Sequence, residues 1–256
     1  MKDGVAVLIT AAVVPGPPAL VVELMGSAAH ELDDLRQATD IAVTRALSDL
    51  VTVPAGSRSW GSASVQLVVV GPGQPTEFNA AGPVSFASFG RDVVLPALIE
   101  GQSVERDLPT PIMVARYLAS RDIATHPEHA QLWASARWMT TSGPAAKSLG
   151  EQLRAHGTGL GLILVTDGAA CHGPKAPRAQ DTRAKVYDDQ VCAALASGRR
   201  SRLAQIDADL GDELGATGCQ VWPVLVGAAG SDRIGEVLWA GAPYGVGWAV
   251  ASWRRP

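Results

Sequence analysis

The sequence predicts an α/β protein: a central, mostly parallel sheet flanked by helices. Three observations predict it. Short β-branched apolar runs recur and end in Gly, Pro or Asp, and segments of helical period lie between them. The 256 residues are also 47% hydrophobic against 18% charged, which is enough apolar material for a sizeable core. With no internal repeat and no long linker, residues 1–256 read as one domain.

The first run, VAVLITAAVV, predicts a buried strand over 5–14. Its apolar length also raises a signal-peptide reading, which Asp3 beside Lys2 and the lack of a clean small-x-small site disfavour. After the loop PGPP, ELDDLRQATDIAVTRALSDL carries Leu32, Leu35, Ala42 and Ala46 on one helical stripe, with Asp33, Asp34 and Arg36 outside it. Ser27 is the expected N-cap. VQLVVVG (65–71) and LGLILVTDG (160–168) predict two further strands. TPIMVARYLASR, AAKSLGEQLRAHG, DTRAKVYDDQVCAALASG and SRLAQIDADLGDELG predict helices, the last with Leu203, Ile206, Leu210 and Leu214 in register. Residues 73–91 and 121–147 show little periodicity.

Composition narrows the partners. A net charge of -4 and scattered Lys and Arg, paired only at 199–200 and 254–255, give no general attraction to phosphate and disfavour nucleic acid. Apart from the first run, no apolar stretch approaches the ~20 residues that span a bilayer, which disfavours a membrane role. Cys171, Cys192 and Cys219 are odd in number and widely spaced, as expected for reduced thiols in a cytoplasmic protein. Trp222, Trp239, Trp248 and Trp253 read as core or interface aromatics.

In doubly wound sheets a ligand sits beyond the carboxyl ends of the strands, which directs attention to the loops after Val14, Val70 and Val165. The third, TDGAACHGPKAP, delivers Asp167, a Gly turn at Gly168, and then Cys171 and His172. A carboxylate and an imidazole five positions apart can form an acid/base pair; the bland alternative is a turn cap and a surface histidine. Cys171 beside His172 also permits a thiolate nucleophile, though sequence adjacency usually points elsewhere. HPEH offers His126 and His129 to a metal, but Thr125 followed by Pro127 and Glu128 also fits a helix start, and the capping reading is preferred. His30 and His156 read as solvated helix-end residues. No P-loop, GxSxG elbow or post-strand dinucleotide fingerprint is present, and GTGLGL (157–162) is a lone glycine cluster.

VVPGPPALVVEL and LVTDGAACHGPKAP, followed by the segments from RAKVYDDQVCAALASG to APYGVGWAVASW, resemble the class III, or LigB-type, extradiol ring-cleavage dioxygenases and their Memo-like relatives. The resemblance implies a LigB-like α/β fold over nearly the whole chain. In that family two histidines and a glutamate hold a non-haem iron(II), leaving positions for a catechol and dioxygen. The first histidine belongs to Pro-His-Pro-Pro, where this chain has Pro15-Gly16-Pro17. The second matches Pro72-Gly73, and the glutamate matches Ala216 or Thr217. None of the three expected ligands is present, so no metal and no cofactor is expected. The family's acid/base histidine matches His172, while the Ser or Thr five positions earlier is Asp167 here.

The expected function is therefore a metal-free small-molecule-binding or accessory protein with a pocket around Pro15, Gly16, Pro17, Pro72, Gly73, Gly168, Cys171 and Ala216. Two alternatives are enzymes: a dioxygenase with replacement ligands drawn from Glu23, Asp92, His126, His129, Asp167 and His172, or metal-free catalysis by Asp167 and His172. A small molecule is the expected partner, and family members commonly form homo-oligomers.

Overall fold

The computed structural model describes residues 7–52, 65–103, 108–155 and 159–256. Its strands are β1 (Val7–Val14), β2 (Val65–Pro72), β3 (Thr76–Phe78), β4 (Val84–Ser85), β5 (Val94–Leu95), β6 (Arg137–Thr141), β7 (Gly159–Val165), β8 (Ile234–Gly241) and β9 (Trp248–Arg254). Seven of them form one sheet in the order β3-β6-β2-β7-β1-β9-β8. The central strands β6, β2, β7 and β1 are mutually parallel. Antiparallel strands close both sides, β3 on β6 and the β9–β8 pair on β1.

The helices are α1 (Val22–Met25), α2 (Asp33–Val51), α3 (Thr110–Thr125), α4 (Ala130–Ala134), α5 (Pro144–Ala155), α6 (Arg183–Ser197), α7 (Arg200–Leu203), α8 (Ala208–Leu214) and α9 (Trp222–Ala229). Because the parallel strands are buried on both faces, alternate residues feed two separate cores. Ile9, Ala12 and Val14 of β1, with Leu67 and Val69 of β2 and Ile163 and Val165 of β7, meet α2 and α3. Leu8, Ala11 and Val13, with Val68, Val70, Leu160, Leu162 and Leu164, meet α5, α6 and α9 on the opposite face. Gly161 is the exception that seats α2, since a Cβ there would run into Leu50.

Several expectations need correction. Arg36 is not outside the stripe: its Nε donates to Leu20 O at 3.0 Å and it is buried, tying α2 to the loop after β1. Ser27 does not cap α2, because a 3-10 segment over Gly26–Leu32 precedes the helix. The helix expected over 201–215 is two, α7 and α8, broken at Ile206-Asp207, where Asp207 caps α8 by accepting from Leu210 N–H. The third strand stops at Val165, and the poorly periodic 121–147 contains α4 and β6. His156 lies outside the described residues. Among those described, no helix is long and apolar enough to cross a membrane.

Helices α5 and α9 pack through glycines: a Cβ at Gly150 would collide with Val224 O, and one at Gly227 would lie 2.7 Å from Lys147 O. Gly150→Ala should therefore lose stability, the forced separation of the helices outweighing the ~1 kcal/mol that alanine gains in helix propensity. Urea unfolding is expected to show a net loss of about 1–3 kcal/mol.

Candidate functional site

Strand β7 lies between β1 and β2, so its carboxyl-terminal loop is flanked by the other two Pro/Gly loops. Thr166 N–H continues the ladder to Val14 O at 2.9 Å. The next residue turns inward. Asp167 Oδ1 accepts the Gly16 N–H at 3.1 Å, the Asp167 N–H donates to Thr217 Oγ1 at 2.9 Å, and the Gly218 N–H donates to Asp167 O at 2.9 Å. One residue thus joins the loops after β1 and β7 to the turn before α9. Enclosure away from water pushes the Asp167 carboxyl up to about 6, against the single favourable bond from Gly16.

Further along the loop, paired backbone bonds to the β8–β9 connection hold its shape: Gly168 N–H to Gly247 O, Gly247 N–H to Ala169 O, and His172 N–H to Gly245 O. His172 then reaches α6. Its Nε2 lies 2.6 Å from Asp188 Oδ2, and the Ala169 N–H donates to Asp188 Oδ1 at 3.1 Å. An ionised carboxylate only accepts, so Nε2 carries the ring proton in this pair. That leaves Nδ1 as the basic nitrogen, with no protein partner among the described residues. Burial raises the Asp188 carboxyl above the ordinary carboxylate range, opposed by Ala169 and His172. Glycine is required at 168 and 247, where a Cβ would collide with the Asp188 carboxylate.

Asp167, Gly168, His172 and Asp188 line one cavity of about 310 Å³, together with apolar Val13, Val191, Leu195 and Trp222. Thr166 Oγ1, Trp222 Nε1 and Trp248 Nε1 are buried with no protein partner among the described residues. The remaining expected pocket residues lie elsewhere. Pro15 and Gly16 are buried at the end of β1, Pro17 follows, Pro72 ends β2, and the Gly73 N–H donates to Thr141 O. Cys171 is buried, with its thiol raised by desolvation, which argues against a thiolate nucleophile. Ala216 lines a separate recess with Arg178, Asp212 and Gln220.

The residues present do not fit an iron(II) centre where the resemblance implies one. Gly16, Gly73 and Ala216 offer no side-chain donor, and the space is taken. A Cβ at Gly16 would lie 3.0 Å from Val165 Cγ1 and 3.8 Å from Pro111 Cα, and one at Gly73 would lie 3.2 Å from Thr140 Cβ. Pro111, at the start of α3, packs beside Gly16 and Gly71. The replacement candidates also separate: Glu23 and Asp92 are exposed, Asp167 and His172 share the cavity, and His126 and His129 join Asp122. Thr125 does not cap the HPEH turn; it ends α3, and its hydroxyl donates to Asp122 O.

Asp188 and Asp122 were not singled out by the sequence reading. A signal existed for each: Asp188 interrupts the apolar stripe Ala184, Tyr187, Val191 and Leu195, and Asp122 extends the stripe Ala115, Leu118 and Ala119. A carboxylate at a core position of an amphipathic helix needs a buried partner.

No protein-family model matches the chain. No curated protein matches it. Among solved structures it is similar to an uncharacterized protein, JW3007, from Escherichia coli K12, at 14% identity over 95% of this chain and 99% of that one, with a TM-score of 0.40.

Because the folded Asp167 carboxyl titrates near 6 rather than at its ordinary 3.8, the folded state binds this proton more tightly than the unfolded chain. The contribution is fully present below the unfolded value and is lost as pH rises through about 6. Asp167→Asn keeps an acceptor for Gly16 and removes that loss. Urea unfolding should find the variant more stable at pH 7.5, by up to about 3 kcal/mol, with the gap closing towards pH 4.

Proposed function

We propose that this chain is a LigB-like protein without the family's iron centre, which binds a small molecule in the cavity between the β7 loop and α6. The observation that carries this reading is the wall of that cavity. His172, its Nδ1 without a partner among the described residues, stands in that wall beside the Asp167 and Asp188 carboxyls. A few polar groups set in a partly apolar cavity mark a ligand site. At about 310 Å³ the space suits a compound of one or two rings, with Val13, Val191, Leu195 and Trp222 against its apolar faces. A cytoplasmic setting belongs to the same reading, favoured by three thiols that are all free. Self-association belongs to it through the family resemblance.

A second reading is favoured by the His172–Asp188 pair. A carboxylate that fixes the imidazole tautomer and leaves the other ring nitrogen free to accept a proton is the arrangement of a general base. On that reading Nδ1 accepts a proton from the bound molecule, and Asp188 holds the resulting imidazolium.

Protein purified after growth with iron is expected to show no catechol-dependent oxygen uptake. Stoichiometric iron with catechol-dependent uptake would overturn the proposal. For any turnover found, His172→Ala should abolish it without weakening the fold, as read by circular dichroism; unchanged turnover rules out the acid/base role.

A further inference from the structure

We propose that Asp122, His126 and His129 form a binding site for one divalent transition-metal ion of the zinc or cobalt kind. The site lies on the α2/α3 face of the sheet, away from His172, whose partner Asp188 sits on α6 across the sheet. The chain geometry that creates it is local. α3 ends at Thr125; His126, at φ -134° and ψ 73°, leaves the helix; and Pro127 starts a 3-10 turn that brings His129 back over Asp122. Donor atoms of the three side chains all lie within 4.8 Å of one another. His129 Nδ1 is 2.9 Å from Asp122 Oδ2, and His126 Nδ1 is 3.7 Å from Asp122 Oδ1.

The surroundings orient these groups. Trp133 Nε1–H donates to Asp122 Oδ2 at 2.8 Å and the Thr44 hydroxyl donates to Oδ1 at 3.0 Å, which fixes the carboxylate while leaving lone pairs free. His129 Nε2 lies 3.4 Å from Ser48 Oγ. When an ion takes the Nδ1 lone pair, the ring proton resides on Nε2 and Ser48 accepts it, the outer hydrogen bond that metal-bound imidazoles usually make. Arg121, the nearest fixed cation along α3, is engaged by Asp40, its Nε 3.1 Å from Oδ1. A buried carboxylate seeking donors would account for Thr44, His129 and Trp133. It would not account for His126, which is partly exposed and stacks on the His129 ring at 5.2 Å. His126 is held at Nδ1 by the Thr125 hydroxyl at 2.9 Å and is the ring that turns to meet the ion. A cavity of about 580 Å³ lined by Asp122, Thr125 and His126 gives access and a fourth position. Two imidazoles and one carboxylate suit zinc and cobalt.

The test is titration of the chelator-treated full chain with Co²⁺, read by visible ligand-field absorption, followed by displacement with Zn²⁺. The expected result is one Co²⁺ per chain, displaced by one Zn²⁺. His126→Ala, at a partly exposed position that leaves the fold intact by circular dichroism, should weaken uptake by more than the roughly 10–100-fold that loss of an outer partner costs. His129→Gln should do the same, and His172→Ala should leave uptake unchanged. Absence of stoichiometric Co²⁺ absorption in the unaltered protein, undiminished uptake by His126→Ala, or an equal loss in His172→Ala would overturn the assignment.

Discussion

The position of β7 between β1 and β2 is the constraint on which the rest depends. Parallel strands leave their backbone groups unsatisfied at the carboxyl end, and here three loops meet there at once. Asp167 meets that demand by accepting from Gly16 and by exchanging bonds with Thr217 and Gly218. Once Asp167 is fixed, the loop beyond it can go only across the β8–β9 connection, and that path presents His172 to Asp188. The cost is a carboxylate held where water reaches it poorly, a local expense of the kind found where a site serves something other than stability.

The same packing explains why an iron site has no place at the strand ends. In this chain Val165 and Pro111 pack against Gly16, and the space beside it is core. The polar groups lie in the cavity between the β7 loop and α6. Asp167 faces both regions, with its bond to Gly16 on one side and the cavity on the other.

Much of the fold could be read from period alone. The three central strands and the long helices α2, α3, α5 and α6 follow from apolar spacing, because each buries a continuous stripe or both faces of a strand. The strands that were missed are the outer ones of the main sheet, β3, β6, β9 and β8, and the separate β4–β5 pair. β6 is only five residues, RWMTT, whose buried positions include two threonines, and β8 mixes exposed and half-buried positions, so no apolar run announces either. The apolar VWPVLVGAAG forms α9 rather than a strand, and its hydrophobicity all round reflects packing between α5 and the sheet. At the site, Asp167 and His172 were legible from one loop, whereas Asp188 comes from a helix distant in sequence and only its place on an apolar stripe hinted at its role. The packing of Pro111 beside Gly16 is a tertiary contact with no local signature.

The most direct test of the cavity as the functional centre is a histidine-labelled ¹⁵N NMR spectrum, recorded while small hydroxylated aromatic compounds are added. The account predicts that His172 appears with its proton on Nε2, and that a compound which binds shifts the His172 ring nitrogens before those of His30, His126, His129 or His156. A His172 ring protonated on Nδ1 alone, or saturable binding that leaves its resonances unmoved, would contradict it.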